Sequence, residues 1–248
     1  MAVYGLDIGG TKIETAIFND NLEQQQSWRI TTPTDDYQQF LHAIYQQVIK
    51  ADELTGCQGA VGIGMPGIVN DEGKVLSANV PCATGKLIAN DLQALLKRPV
   101  AILNDTRCFA LSEANGGAGE GYSRVFGAIV GTGAAGGMCI DGTLFNQGLG
   151  MSGEYGHLPL SAYLQQKYQL PVLKCGCGLN GCVESYIAGP GVQTLYQHIT
   201  QSPKSAIEWA NDIKRSDEQA LKVLACYLDI LGETFAAISK SLHPEVIV

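Results

Sequence analysis

One arrangement occurs twice in this chain, and no other feature narrows its fold as much. Residues 2 to 8 (Ala-Val-Tyr-Gly-Leu-Asp-Ile) read as a buried strand, Gly9-Gly10-Thr11 as a tight turn, and Lys12 to Phe18 as a second strand alternating Ile13, Thr15 and Ile17. Val125 to Val130, Gly131-Thr132-Gly133 and Gly136 to Ile140 repeat that plan. The letters of the two copies barely match, so the repeat is one of architecture. It predicts two α/β lobes, 1–120 and 121–248, each opening with a strand, a Gly/Thr turn and a return strand.

The first lobe fills in as alternating elements. Apolar residues at Tyr37, Phe40, Leu41, Ile44 and Val48 recur at helical spacing between Thr34 and Lys50, after Asp35 and Asp36 as candidate caps. Gly59 to Met65 is a short apolar strand ending at Pro66-Gly67, and Asp91 to Lys97 reads as helical. Val100 to Leu103 is a buried strand running straight into Asn104-Asp105 and a helix through Phe109, Leu111 and Glu113. The order is strand, strand, helix, strand, helix, strand, helix. In the second lobe, Glu218 to Leu242 is a long amphipathic helix expected to bury Leu221, Leu224, Leu228, Leu231, Phe235 and Ile238. His243-Pro244 stops it, and Glu245 to Val248 opens a buried strand that is expected to run on in the natural protein.

A Gly/Thr turn between two strands presents backbone N–H groups to an anion with no side chain in the way. Two facing turns would grip a polyphosphate. Asp7 could hold a divalent cation through water, with Thr11 and Lys12 supplying a hydroxyl and a positive charge. Asp105, where a buried strand meets a helix, stands where α/β folds bind ligands, and it suits the role of proton acceptor for an attacking hydroxyl, with Asn104 orienting the acceptor. The plain alternatives are an ordinary tight turn and a helix cap.

The segment from Glu154 to Glu184 holds a different chemistry. His157 is followed by Cys175-Gly-Cys177-Gly-Leu-Asn-Gly-Cys182, a Cys₃His set suited to zinc, with glycines at 176, 178 and 181 that let the backbone fold tightly. Four protein ligands leave no open position, so such a zinc would be structural. A core histidine beside a redox pair and a spare thiol is the competing reading. Glu154 and Glu184 flank the set and would face a polar ligand. Cys57, Cys82, Cys108, Cys139 and Cys226 are expected to be buried thiols.

The 248 residues, 46% of them apolar and 16% charged, suffice for two cores and exclude disorder. A net charge of −8 without a Lys/Arg cluster argues against nucleic-acid binding. No run nears the roughly 20 apolar residues of a membrane span. The first residues lack the basic start and apolar run of a secretion signal, which points to the cytoplasm.

Together, Asp7-Ile-Gly-Gly-Thr-Lys12, Asn104-Asp105, Gly131-Thr-Gly133, Glu154-Tyr-Gly-His157 and Cys175-Gly-Cys-Gly-Leu-Asn-Gly-Cys182-Val-Glu184 resemble the ROK family of sugar kinases and regulators. The resemblance implies a two-lobed actin-like ATPase (ribonuclease H-like) fold with a zinc-binding insertion. It implies ATP-dependent phosphorylation of a sugar 6-hydroxyl, with Asp105 as base. Nucleotide phosphates would lie on Gly5, Asp7, Gly9, Gly10, Thr11 and Lys12 and on Gly131, Thr132, Gly133, Gly136 and Gly137, bridged by Mg²⁺. The sugar would be held by Gly67, Asn79, Asn104, Asp105, Glu154, His157 and Glu184, and Zn²⁺ by His157, Cys175, Cys177 and Cys182. Such kinases are usually cytoplasmic homodimers.

Residues 79–86 and 104–113 look most like family members that act on N-acetyl-D-glucosamine. Glucose, N-acetylmannosamine and mannose offer the same ring hydroxyls, so the choice turns on what meets carbon 2. The family's regulators carry a helix-turn-helix before the sugar fold, whereas here the first strand begins at residue 2. The family also continues the last strand into a Gly-Gly-Gly turn at the adenosine pocket, so the resemblance implies that a chain ending at Val248 binds sugar better than ATP.

Overall fold

A computed structural model describes residues 2–146 and 151–248. The chain forms two compact units, Met1–Cys108 with Asn146–Met151, and Phe109–Phe145 with Ser152–Val248.

The first unit contains β1 (Val3–Ile8), β2 (Lys12–Phe18), β3 (Gln24–Thr31), α1 (Tyr37–Thr55), β4 (Ala60–Met65), β5 (Ile68–Val69), β6 (Val75–Leu76), α2 (Ile88–Leu96) and β7 (Val100–Asn104). Helix α3 (Asp105–Ala114) follows directly and crosses from one unit into the other. The sheet order is β3-β2-β1-β4-β7, with β1, β4 and β7 parallel and β1, β2 and β3 antiparallel. Asp36 caps α1, its carboxylate accepting from the Gln39 N–H at 2.8 Å, which is worth about 1 kcal/mol. That helix buries Phe40, Ile44, Val48 and Ala51 along one stripe. They join Tyr4, Leu6, Ile8 and Ile13 in a core where each large side chain contributes about 1.5–3 kcal/mol of burial.

The second unit contains β8 (Arg124–Val130), β9 (Ala134–Ile140), β10 (Thr143–Leu144), α4 (Ala162–Tyr168), α5 (Glu184–Ile187), α6 (Gly189–Thr200), α7 (Ala206–Lys214), α8 (Glu218–Leu242) and β11 (Val246–Ile247). Its sheet runs β10-β9-β8-β11, antiparallel except for the β8–β11 pair. The expected strand at 245–248 is therefore present; it is half-buried at the sheet's edge and held by Val248 N–H to the Phe126 carbonyl at 2.9 Å. Phe126, Tyr186, Ile187, Tyr196, Val223 and Ile230 form this unit's core.

Several expectations need correction. The strand order lacked β3, whose sequence Gln-Gln-Gln-Ser-Trp-Arg-Ile-Thr is polar and largely exposed and so carries no apolar period. It is held by its ladder to β2 and by Trp28, whose indole N–H donates to the buried Gln47 Oε1 at 2.7 Å while Lys50 Nζ lies 4.5 Å from the ring centroid. The small β5–β6 hairpin was also missed. Helix α2 starts at Ile88, three residues before Asp91, and Lys97 caps it in the left-handed region.

The expected line on α8 holds in part: Ile238 is buried, and Leu224, Leu231 and Phe235 pack half-buried against the core. Leu221 and Leu228 are 42% and 54% exposed, while Ala220, Val223, Cys226, Ile230, Thr234 and Ile238 are buried. Leucines occur on more than one side of this helix, and the neighbours α4 to α7 take the side with the smaller residues. Of the five cysteines expected to be buried, Cys57 is exposed and Cys82 and Cys108 are half-buried. Among the described residues, no helix is long and apolar enough to cross a membrane.

Candidate active site

In the first unit, the parallel register sets Asp7 opposite Gly64 and Met65 opposite Asn104. The candidate residues Asp7, Gly67, Asn104 and Asp105 thus sit at or just past the C-terminal ends of three adjacent parallel strands, the place where open α/β sheets bind ligands. Between β1 and β2, Gly9 N–H closes the turn on the Lys12 carbonyl at 2.8 Å. Thr32 fastens it from behind, its hydroxyl donating to the Gly9 carbonyl at 2.7 Å and its N–H to the Thr11 carbonyl at 3.1 Å. The N–H groups of Gly10 and Thr11 take no backbone partner among the described residues, as an anion-binding turn requires. Gly5 lies further back, inside β1.

A side chain at Gly10 would come within 2.6 Å of the Asn79 carbonyl, so the turn lies directly on the segment that carries Asn79. That segment is tied at both ends by the Ser77–Thr84 pair, the Thr84 hydroxyl donating to the Ser77 carbonyl at 3.0 Å. Gly67 has φ +117°, and a Cβ there would meet the Leu76 carbonyl at 2.3 Å, so only glycine fits.

Asn104, not Asp105, caps α3. Its Oδ1 accepts from the Thr106 N–H at 2.9 Å, the Thr106 hydroxyl at 2.5 Å and the Arg107 N–H at 3.2 Å, and its Nδ2 donates to the Gly67 carbonyl at 2.9 Å. Asp105 is half-buried at the first helical position, one oxygen accepting from the Thr106 N–H at 2.9 Å. Burial raises its pKa above the ordinary aspartate value, with hydrogen bonds pulling the other way. Asp7 is raised too, by partial desolvation first and then by the negative charge of Asp105. Lys12 and Thr11 are exposed.

In the second unit, the turn between β8 and β9 has Gly131 N–H donating to the Gly133 carbonyl at 2.8 Å, leaving Thr132 and Gly133 N–H without a backbone partner among the described residues. Gly136 and Gly137 lie within β9. Three groups that sequence reasoning missed hold this turn and its strand: the Gly189 N–H donates to the Gly131 carbonyl at 2.8 Å, the Tyr155 hydroxyl to the Ile129 carbonyl at 2.8 Å, and the Ala134 N–H to Glu184 Oε2 at 2.8 Å. Of these, only Gly189 carries a signal, since Pro190 after it marks a helix start.

His157 and the three cysteines come together. An antiparallel bridge pairs Pro159 with Cys182, so the histidine segment lies along the cysteine segment. The four ligand atoms lie within 4.8 Å of one another, with Cys175 Sγ 3.6 Å from His157 Nδ1 and Cys177 Sγ 3.7 Å from Cys182 Sγ. Around a tetrahedral zinc, neighbouring ligand atoms stand about 3.5–3.8 Å apart, so the donor set fits that ion and these two pairs stand at its spacing. His157 points Nδ1 at the knot and Nε2 toward Glu154, 3.7 Å from its Oε2. A cavity of about 280 Å³ opens beside the second turn, lined by Thr132, Lys174, Glu184 and the start of α6. A larger one of about 570 Å³, at Lys167, His198 and Lys222, carries none of the candidate residues.

Comparison with known proteins agrees with these motifs. An N-acetylgalactosamine kinase of Shewanella sp. is 48% identical over 245 residues, 99% of this chain and 80% of that relative. An N-acetyl-D-glucosamine kinase of Shigella flexneri is 41% identical over 248 residues, 99% of this chain and 82% of the relative. The crystal structure of a ROK hexokinase from Thermus thermophilus superimposes with a TM-score of 0.86 at 29% identity, covering 100% of this chain and 80% of the other. The ROK family model matches residues 3–248, and the chain belongs to the ROK family.

Proposed function

We propose that this protein is an ATP-dependent kinase that phosphorylates the 6-hydroxyl of N-acetyl-D-glucosamine. The observation that carries the reading is Asp105, a carboxylate of raised pKa at the end of a parallel strand, in the unit that also presents the Gly9-Gly10-Thr11 turn. It accepts the proton of the sugar hydroxyl, and its raised pKa makes it a better base than an ordinary aspartate. ATP with Mg²⁺ supplies the phosphoryl group and the neutralising charge. In the first unit Gly9, Gly10 and Thr11 would offer N–H groups and Lys12 a cation to phosphates, and Asp7 would hold the Mg²⁺; in the second unit the turn 131–133 would offer N–H groups.

Within the first unit, Gly67, Asn79, Asn104 and Asp105 are the sugar-binding groups; within the second, Glu154, His157 and Glu184 are. His157 Nδ1 and the thiolates of Cys175, Cys177 and Cys182 would hold a structural Zn²⁺, which would fix the histidine tautomer and leave Nε2 free for the sugar. The enzyme acts as a cytoplasmic homodimer.

A second acceptor, N-acetyl-D-galactosamine, is favoured by the 48% identical Shewanella kinase. The two sugars differ only at carbon 4. Comparing kcat/KM for both, with glucose as the sugar lacking the acetamide, decides the matter. Ten-fold or greater preference for N-acetyl-D-glucosamine over each is expected; preference for glucose would sink the N-acetylhexosamine assignment altogether.

A further inference from the structure

Glu184 follows the last cysteine of the knot by two residues, yet its carboxylate ends on the other conspicuous feature of the same unit. Oε2 accepts the Ala134 N–H at 2.8 Å, at the first residue after the Gly131-Thr132-Gly133 turn. Oε1 faces Cys175 Sγ at 3.7 Å. The fit is close on the turn itself, because a Cβ on Gly133 would lie 2.7 Å from Oε2. Glu184 and Thr132 open on the same cavity of about 280 Å³. One side chain therefore touches the metal-binding knot and the phosphate-type turn together.

We infer that Glu184 is a positioning residue for nucleotide: it holds the turn in the shape that presents the Thr132 and Gly133 N–H groups, and, standing two residues past Cys182, it carries the order of the knot to that turn through the chain. This rests on the kinase reading and adds to Glu184 a role separate from contact with sugar. What the role requires is reach and an acceptor atom at Ala134, not negative charge. A full charge there works against a bound phosphate, so a neutral acceptor of equal length serves at least as well.

Two conservative variants separate these requirements. Glu184→Gln keeps the length and an acceptor oxygen but loses the charge; Glu184→Asp keeps the charge but withdraws it by one methylene. Binding of a non-hydrolysable ATP analogue with Mg²⁺ is measured by calorimetry on the full chain, with zinc content recorded for each sample. Glu184→Gln is expected to bind the analogue as tightly as wild type or tighter, and Glu184→Asp about ten-fold more weakly, both with unchanged zinc. Nucleotide affinity that follows the charge, or is the same in all three proteins, overturns the inference. Wild type stripped of metal is expected to lose nucleotide affinity as Glu184→Asp does, and unchanged affinity would remove the relay. Because the readout is nucleotide binding, it stands apart from the acceptor assignment, which sugar turnover by wild type tests on its own.

Discussion

The Asn104 side-chain amide donates to the Gly67 carbonyl at 2.9 Å while its oxygen caps α3, so one buried residue joins the loop after β4 to the start of the helix that carries Asp105. Asn104→Ala removes the oxygen that accepts from the Thr106 hydroxyl and from the Thr106 and Arg107 N–H groups, together with the donor to the Gly67 carbonyl, a loss of about 2–3 kcal/mol. In a chain this long that lowers Tm by about 5–10 °C. Thermal unfolding checks it; a Tm within a degree of wild type would show that the cap is dispensable.

Gly67 makes the same junction from the other side. At φ +117° a Cβ would meet the Leu76 carbonyl at 2.3 Å, so Gly67→Ala must move either that loop or the Gly67 carbonyl that Asn104 holds. Backbone strain of this kind costs about 1–3 kcal/mol. Because the displaced carbonyl is tied to α3, the KM for sugar is expected to rise more than kcat falls. A stable variant with unaltered KM would contradict this.

Asp105 ties activity to acid stability with opposite signs. Its folded pKa is raised by burial, so the folded state binds the proton more tightly than the unfolded chain does. The stability that protonation supplies is present below the unfolded value of about 3.9 and is lost as pH rises through the folded value. Asp105→Asn removes the buried charge, so at pH 7 it should unfold at a higher temperature than wild type while losing about 10²–10⁴-fold in turnover. The gain should vanish at pH 3. In wild type, kcat/KM should fall on the acid side with an apparent pKa above that of an ordinary aspartate. A destabilised Asp105→Asn at neutral pH, or full residual turnover, would count against both claims.

What the sequence made legible follows its physics. The two Gly/Thr turns and the β7–α3 junction announce themselves because glycine and a strand-to-helix change leave local marks, and His157 with the cysteines does so through ligand chemistry. Strand β3 left none: its stability comes from the ladder to β2 and from Trp28 bonding to Gln47, a partner on another element. Leu221 and Leu228 of α8 misled because several sides of that helix are apolar, and only the packing of α4 to α7 chooses among them. Likewise the choice of Asn104 rather than Asp105 as the cap of α3 depends on where the Gly67 carbonyl falls in space. The bond from Ala134 to Glu184 involves a backbone N–H, which no residue type reveals.

The knot gives a prediction that needs no turnover to read. Cys177 is exposed, so replacing its sulfur by oxygen disturbs little packing, and the change acts through the donor set alone. Serine is a far poorer zinc ligand than thiolate, and three remaining ligands bind the ion weakly. Cys177→Ser is therefore expected to purify with much less than one zinc per chain by metal analysis. A zinc proposed on His157 Nδ1 would be lost with it, and Nε2, 3.7 Å from Glu154, would lose its set orientation. Loss of outer-shell order of this kind typically costs about 10–100-fold, so sugar affinity measured by calorimetry should fall by that factor. Zinc-free protein that binds sugar as wild type does would uncouple the metal from recognition, and full zinc retention would remove Cys177 from the ligand set.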